Sequence, residues 1–371
     1  MLGTPPRAAY VSTHRTDAVA LHRRPRPRDR ARHRGYAPVI PLPSSRGARP
    51  TSSAGAVLLL PILLLVACAS PRSADDAAPP TPPNGTTTPA TIDTSQPVDV
   101  ECRWAAEAVT HAYEEIPGVD PDLTSVDVYG PHGRCGPRPV LFWIHGGGWR
   151  QGDKSQRIAT KQAFAAANGW VLVSVNYRLS TAGSGVIWPT HGRDVATAIG
   201  WTLDHAADFA IDPTRVAVMG HSSGGHLAAM VTVDPDLMAD AGSDRNAIRC
   251  LVALDTEGYD LVAKVEDGGT ADALVVSAFG DDPATWMTAS PTLVLRSVGG
   301  PVADSLVVTR GSPTRRAVAR AFAAEIERAG SFEEVIVASG YDHSEVSAAV
   351  GDPADEVVTP AVTAFLDRCL G

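Results

Sequence analysis

The 371-residue sequence has no uncharged apolar stretch long enough for a comfortable transmembrane helix, no internal repeat, and no CxxC or Cys/His cluster with metal-ligand spacing. The first lack argues against a membrane-spanning chain, the second against a solenoid, and the third against a zinc site. A basic body is also missing. Residues 1–49 carry eleven Arg, no Lys and two acids, a balance of +9, so with −9 overall the rest carries −18. That acidic remainder argues against nucleic acid as a partner, because phosphate binding requires a basic face. What is present is globular: 44% hydrophobic and 20% charged residues, enough for a sizeable core.

Three segments follow from composition. The Arg- and Pro-rich start has no apolar periodicity and reads as unfolded. It leads into Ala54–Ala67, AGAVLLLPILLLVA, which ends at Cys68. A basic flank, a short apolar run and small residues at its end make a secretory signal. Leu65-Val66-Ala67-Cys68 resembles the lipobox of bacterial lipoproteins, which implies export and a lipid anchor to a membrane on Cys68. The basic stretch ahead of the run is longer than such signals normally carry, leaving both a downstream start and an unusual leader open. Residues 68–97 are rich in Pro, Thr and Ala and cannot bury enough apolar surface to order, so they form a flexible tether. Residues 98–371 then make one domain. Its four cysteines pair by position as Cys102 with Cys135 and Cys250 with Cys369, free buried thiols being the alternative.

Short apolar runs alternate with amphipathic stretches across this domain. Strands are expected at Val140–Ile144, Trp170–Val175, Val216–Met219, Leu251–Leu254, Leu306–Thr309 and Val335–Ala338. Helices are expected at Arg157–Ala167, Gly192–Ala207, Gly224–Thr232, Thr314–Ala329 and Val357–Leu370. The fold class is therefore α/β, with a mostly parallel central sheet, helices on both faces and ligands beyond the strand carboxyl ends. No insertion between Ser180 and Thr190 is long enough for a large cap domain.

The chemistry-bearing residues follow the strands. Gly220-His221-Ser222-Ser223-Gly224 has the G-x-S-x-G pattern of a tight strand-to-helix turn that exposes a serine hydroxyl. His145-Gly146-Gly147-Gly148-Trp149 offers bare backbone N–H groups for an oxyanion, with Gly147, Gly148 and Ser223 as donors and His145 as a structural residue. With Gly152-Asp153-Lys154, Asn176-Tyr177-Arg178-Leu179 and His343 after the last strand, these motifs resemble the carboxylesterase and kynurenine-formamidase-like branch of the α/β-hydrolases from about Val126 to His343. The resemblance implies a Ser222 nucleophile, a His343 general base, no cofactor, and a small-molecule ester or amide substrate.

The sequence departs from that branch at the acid. The loop after Leu306–Thr309, where relatives carry an aspartate, reads Arg310-Gly311-Ser312-Pro313-Thr314-Arg315-Arg316. Asp255, at the carboxyl end of Leu251–Leu254, is the expected acid, followed by Glu257 and then Asp342. Trp149, Trp188 and Trp286 are candidates for an apolar pocket wall or for plain core. Two other readings stay open: an amidase or formamidase acting on arylamides, and a non-catalytic binding lipoprotein, for which the missing loop acid argues.

Overall fold

A computed structural model describes residues 102–133, 135–266 and 270–371. The leader, the tether, Cys68 and the first residues of the expected domain lie outside them. The described residues form one compact unit. It begins with β1 (Arg103–Trp104), β2 (Val109–Ala112), a 3-10 turn (Pro121–Thr124), β3 (Ser125–Tyr129), β4 (Pro131–His132) and β5 (Arg138–Ile144). It continues with α1 (Ile158–Ala167), β6 (Val171–Val175), α2 (Thr190–Asp204), β7 (Ile211–His221), α3 (Ser223–Val233), α4 (Pro235–Asp240) and β8 (Ile248–Leu254). Four helices follow: α5 (Leu261–Glu266), α6 (Thr270–Phe279), α7 (Pro283–Thr288) and α8 (Pro291–Val298). The last elements are β9 (Asp304–Thr309), α9 (Pro313–Arg328), β10 (Glu333–Val337), α10 (His343–Ala349) and α11 (Val358–Leu370).

Eight strands form one sheet in the order β10-β9-β8-β7-β5-β6-β3-β2, parallel from β10 to β6 and antiparallel at β3 and β2. Alternation along the strands explains how both faces are covered. In β5, Val140, Phe142 and Ile144 join one core with side chains of α2, α3, α8 and α9. Leu141 and Trp143 face the other way, into a core shared with α1, α10 and α11. Every one of these five β5 side chains is at most 2% exposed. Each stabilises the fold by roughly 1.5–3 kcal/mol relative to exposure, so a strand buried on both faces needs no polar alternation.

All six expected strands and five expected helices are present, with ends shifted by up to five residues. Two features were not expected. The antiparallel edge β2–β3 reads VTHA and SVDVY, with polar residues where a buried strand would be apolar. Asp127 is tolerated there because Thr110 Oγ1 donates to it at 2.6 Å and Lys154 Nζ lies 3.8 Å away. The four helices between β8 and β9 were also unassigned. They send Leu261, Val275, Phe279 and Leu295 into the main core, and so belong to the domain rather than forming a separate cap.

The motif residues at the β5 and β6 ends pin loops. Asn176 Oδ1 accepts from the Lys154 N–H at 2.7 Å, and its Nδ2 donates to Asp153 Oδ2 at 3.0 Å. Arg178 grips the buried Asp194 with Nε at 2.9 Å and Nη2 at 2.5 Å. Among the described residues no helix is long and apolar enough to cross a membrane.

Disulfides join Cys102 to Cys135 and Cys250 to Cys369, the second closing a span of 119 residues and tying β8 to α11. A loop of that length restricts the unfolded chain strongly, by about 4–5 kcal/mol in the chain-entropy account. Cys369→Ser is expected to lower unfolding stability by about 2–5 kcal/mol, read as a lower guanidinium midpoint. Cys135→Ser, which opens a span of only 33 residues, should cost about 1 kcal/mol less in the same account.

Candidate active site

Parallel strands bring their carboxyl ends to one edge of the sheet, and each site residue sits immediately beyond one. Ser222 follows β7 at φ 56°, ψ −122°, a conformation unfavourable for a side chain with a Cβ. Its N–H donates to the Leu254 carbonyl at 2.9 Å, which ties the turn to β8. The flanking glycines are required by close approach. A Cβ on Gly220 would lie 2.2 Å from the Gly224 carbonyl oxygen, and one on Gly224 would lie 2.1 Å from the Ile144 oxygen. Only bare backbone lets α3 start this close to β5 and β7.

His343 is the first residue of α10. Asp342 caps that helix, accepting from the Glu345 N–H at 2.8 Å while Glu345 Oε2 accepts from the Asp342 N–H at 2.6 Å. His343 Nε2 lies 2.9 Å from Ser222 Oγ, and Nδ1 lies 2.6 Å from Asp255 Oδ2. An ionised carboxylate can only accept, so Nδ1 carries the proton and Nε2 presents its lone pair to the serine hydroxyl. Asp255 follows β8 at φ 46°, with its N–H on the Val308 carbonyl at 2.7 Å.

The structure thus brings Ser222, His343 and Asp255 into one hydrogen-bonded chain. The other acid candidates are committed elsewhere. Asp342 is the α10 cap, and Glu257 pairs with Arg315 at 2.6 Å and Lys264 at 3.2 Å.

Asp255 is 1% exposed, and burial alone would raise its pKa. Bonds from His343, Arg315 and Arg310 outweigh this and hold it below the ordinary carboxylate value. Arg310 Nε donates to Oδ2 at 2.6 Å, Arg315 Nε to Oδ1 at 2.8 Å, and Arg315 Nη2 to the Asp255 carbonyl at 3.0 Å. These arginines are what the sequence reading missed. The signal was available in the loop without an acid, since its arginines stand beside a strand end that carries a carboxylate.

Gly147 and Gly148 form a loop at φ 130° and 62°, and a Cβ on Gly147 would lie 1.8 Å from the Gln151 carbonyl oxygen. Among the described residues, the N–H groups of Gly147, Gly148 and Ser223 donate to no protein acceptor. Ser223 also opens α3, whose N-terminal dipole favours negative charge at Ser222. His145 is structural as expected. It stacks on Tyr177 with ring centroids 4.5 Å apart, its Nδ1 lies 2.8 Å from the Gly146 carbonyl oxygen, and burial lowers its pKa.

His221 is held neutral, with its pKa pushed down to about 4 by burial and then by His343, and its Nε2 donates to the His343 carbonyl at 2.8 Å. It therefore supports the position of α10. His221, Asp255 and His343 are close enough to share a metal ion. Each already has partners: His221 Nε2 the His343 carbonyl, His343 Nε2 Ser222 Oγ and Nδ1 Asp255, and Asp255 the two arginines.

Two clefts meet at Ser222 and His343. The larger, about 740 Å³, includes Gly147, Gly148, Arg157 and Leu274. The smaller, about 350 Å³, includes Ser223, Trp149, Glu257, Lys264 and Arg310. Trp149 therefore does line a cleft. Trp188 is core, 7% exposed and tilted against Phe279, and Trp286 packs at the edge of the same core.

With this geometry in view, comparison with known proteins identifies the fold. The BD-FAE family profile matches residues 126–279. Esterase LipC of Mycobacterium tuberculosis is 37% identical over 113 residues, 29% of this chain and 27% of that protein. Esterase LipQ of the same organism is 28% identical over 203 residues, 52% of this chain and 47% of that protein. The chain spans about a quarter to a half of the length of such curated relatives. Native esterase 2 of Thermogutta terrifontis superposes with a TM-score of 0.56 at 21% identity, covering 71% of this chain and 91% of that one. The architecture is the α/β-hydrolase fold.

If close backbone approach fixes the elbow, Gly224→Ala should cost at least about 3 kcal/mol, the upper range for overpacking. Gly183→Ala, at φ 80° with open space around it, should cost only the left-handed backbone term of about 1–2 kcal/mol. Chemical denaturation of the two variants checks this, and equal losses would contradict it.

Proposed function

We propose that the chain is a serine carboxylesterase that works through an acyl-enzyme on Ser222. The observation that carries this reading is the chain of hydrogen bonds from Ser222 Oγ through His343 to Asp255. His343 Nε2 accepts the hydroxyl proton as Ser222 attacks the ester carbonyl, and Asp255 stabilises the imidazolium that results. The N–H groups of Gly147, Gly148 and Ser223 hold the oxyanion, aided by the α3 dipole. His343 then returns the proton to the departing alcohol or phenol. Water, deprotonated by the same imidazole, releases the acid.

Esterase names among the relatives and structural neighbours support ester over amide substrates. The binding-protein alternative drew on a missing acid, and the 2.6 Å contact between Asp255 and His343 weighs against it. We further propose export and a lipid anchor on Cys68. The lipobox-like Leu65–Cys68 and two disulfides in the domain support an oxidising compartment.

On 4-nitrophenyl butyrate, Ser222→Ala is expected to lower kcat on the order of a million-fold. Asp255→Asn should lower it on the order of ten-thousand-fold. Both are read against the spontaneous rate, with circular dichroism reporting retention of the fold. An Asp255→Asn enzyme within a few-fold of wild type would remove Asp255 from the mechanism.

A further inference from the structure

We infer that the smaller cleft beside Ser222 takes the carboxylate end of an acidic ester, with the Arg310 guanidinium as its anchor. This rests on the ester-hydrolase reading above. The cleft is lined by two acids, Asp255 and Glu257, and three cations, Lys264, Arg310 and Arg315. Their bonds show where the surplus positive charge lies. Arg315 is fully used: Nε on Asp255 Oδ1, Nη2 on the Asp255 carbonyl, Nη1 on Glu257. Lys264 is held by Glu257. Arg310 gives only its Nε, to Asp255 Oδ2, and among the described residues its two Nη groups have no acceptor.

Those two groups form one edge of a planar fork that matches a carboxylate. The side chain is only 22% exposed and is fixed at its Nε end, so binding orders little that is not already ordered and water screens the contact less. The wider setting points the same way. The larger cleft adds Arg157 and no carboxylate, so the two clefts around Ser222 are net positive in a chain of net charge −9. A cationic cleft in an acidic body draws anions to one place. Because Asp255 also holds His343, a carboxylate on Arg310 shares its cleft with the nucleophile.

Two matched ester pairs test this. The first is 4-acetoxybenzoate against its methyl ester, with the charge on the leaving group. The second is mono-4-nitrophenyl adipate against 4-nitrophenyl hexanoate, with the charge on the acyl group. After correction for spontaneous hydrolysis, kcat/KM should favour the acid in one pair by about tenfold, the effect of one charge-assisted hydrogen bond. The preference should shrink with added salt. In Arg310→Gln it should vanish, while Arg310→Lys retains part of it. The ratio within a pair cancels any general loss through Asp255.

In the wild-type protein, benzoate should also inhibit hydrolysis of the neutral esters at about tenfold lower concentration than benzamide. Neutral esters preferred in both pairs, or a preference unchanged by Arg310→Gln, would overturn the inference. If the neutral esters are hydrolysed in a Ser222-dependent way without acid preference, only the inference falls. If none of the four is, the esterase reading falls with it.

Discussion

Asp255 is a carboxylate held almost entirely out of water, where an uncompensated charge would cost several kcal/mol. Three N–H donors from two different strand ends compensate it: His343 after β10, and Arg310 and Arg315 after β9. The carboxylate therefore fixes more than a histidine ring. It ties together the carboxyl ends of β8, β9 and β10, and through His343 it reaches Ser222 after β7. Taking away either guanidinium leaves negative charge without its partner, and taking away the carboxylate leaves two cations facing a cleft.

The remaining constraint is steric. Ser222 is displayed because β7 turns into α3 without room for a single extra carbon at Gly220 or Gly224. Gly148, Ser222 and Ser223 line the same cleft, so the proposed nucleophile and two of its proposed oxyanion donors face one space. His221 braces it from the side, neutral and bonded to the His343 backbone. The site geometry depends on backbone that cannot accept a methyl group and on a buried carboxylate with three N–H partners.

Much of this was legible in the chain. Buried parallel strands are runs of Val, Leu and Ile, and the motif residues stand directly after them, so strand positions and site residues came together. Asp255 could be chosen because the loop after Leu306–Thr309 carries arginines and no acid. The acid-free loop was the one signal of what those arginines do, and it was missed because their contacts with Asp255 span 55 and 60 residues and depend on two strands lying side by side. The β2–β3 edge was hidden for a related reason. Asp127 reads as a surface residue until Thr110 and Lys154 are seen beside it. Helices α5 and α7 have six residues each, too few for periodicity to mark them, whereas α6 and α8 carry apolar patterns that the sequence reading passed over.

The most direct test of a serine activated by this arrangement is labelling of the native protein with a fluorophosphonate, followed by peptide mass spectrometry. One adduct per chain on the peptide that contains Ser222, absent after denaturation and absent from His343→Ala, is the predicted result. A folded native protein that takes up no label, or takes it up at another residue, would contradict the account.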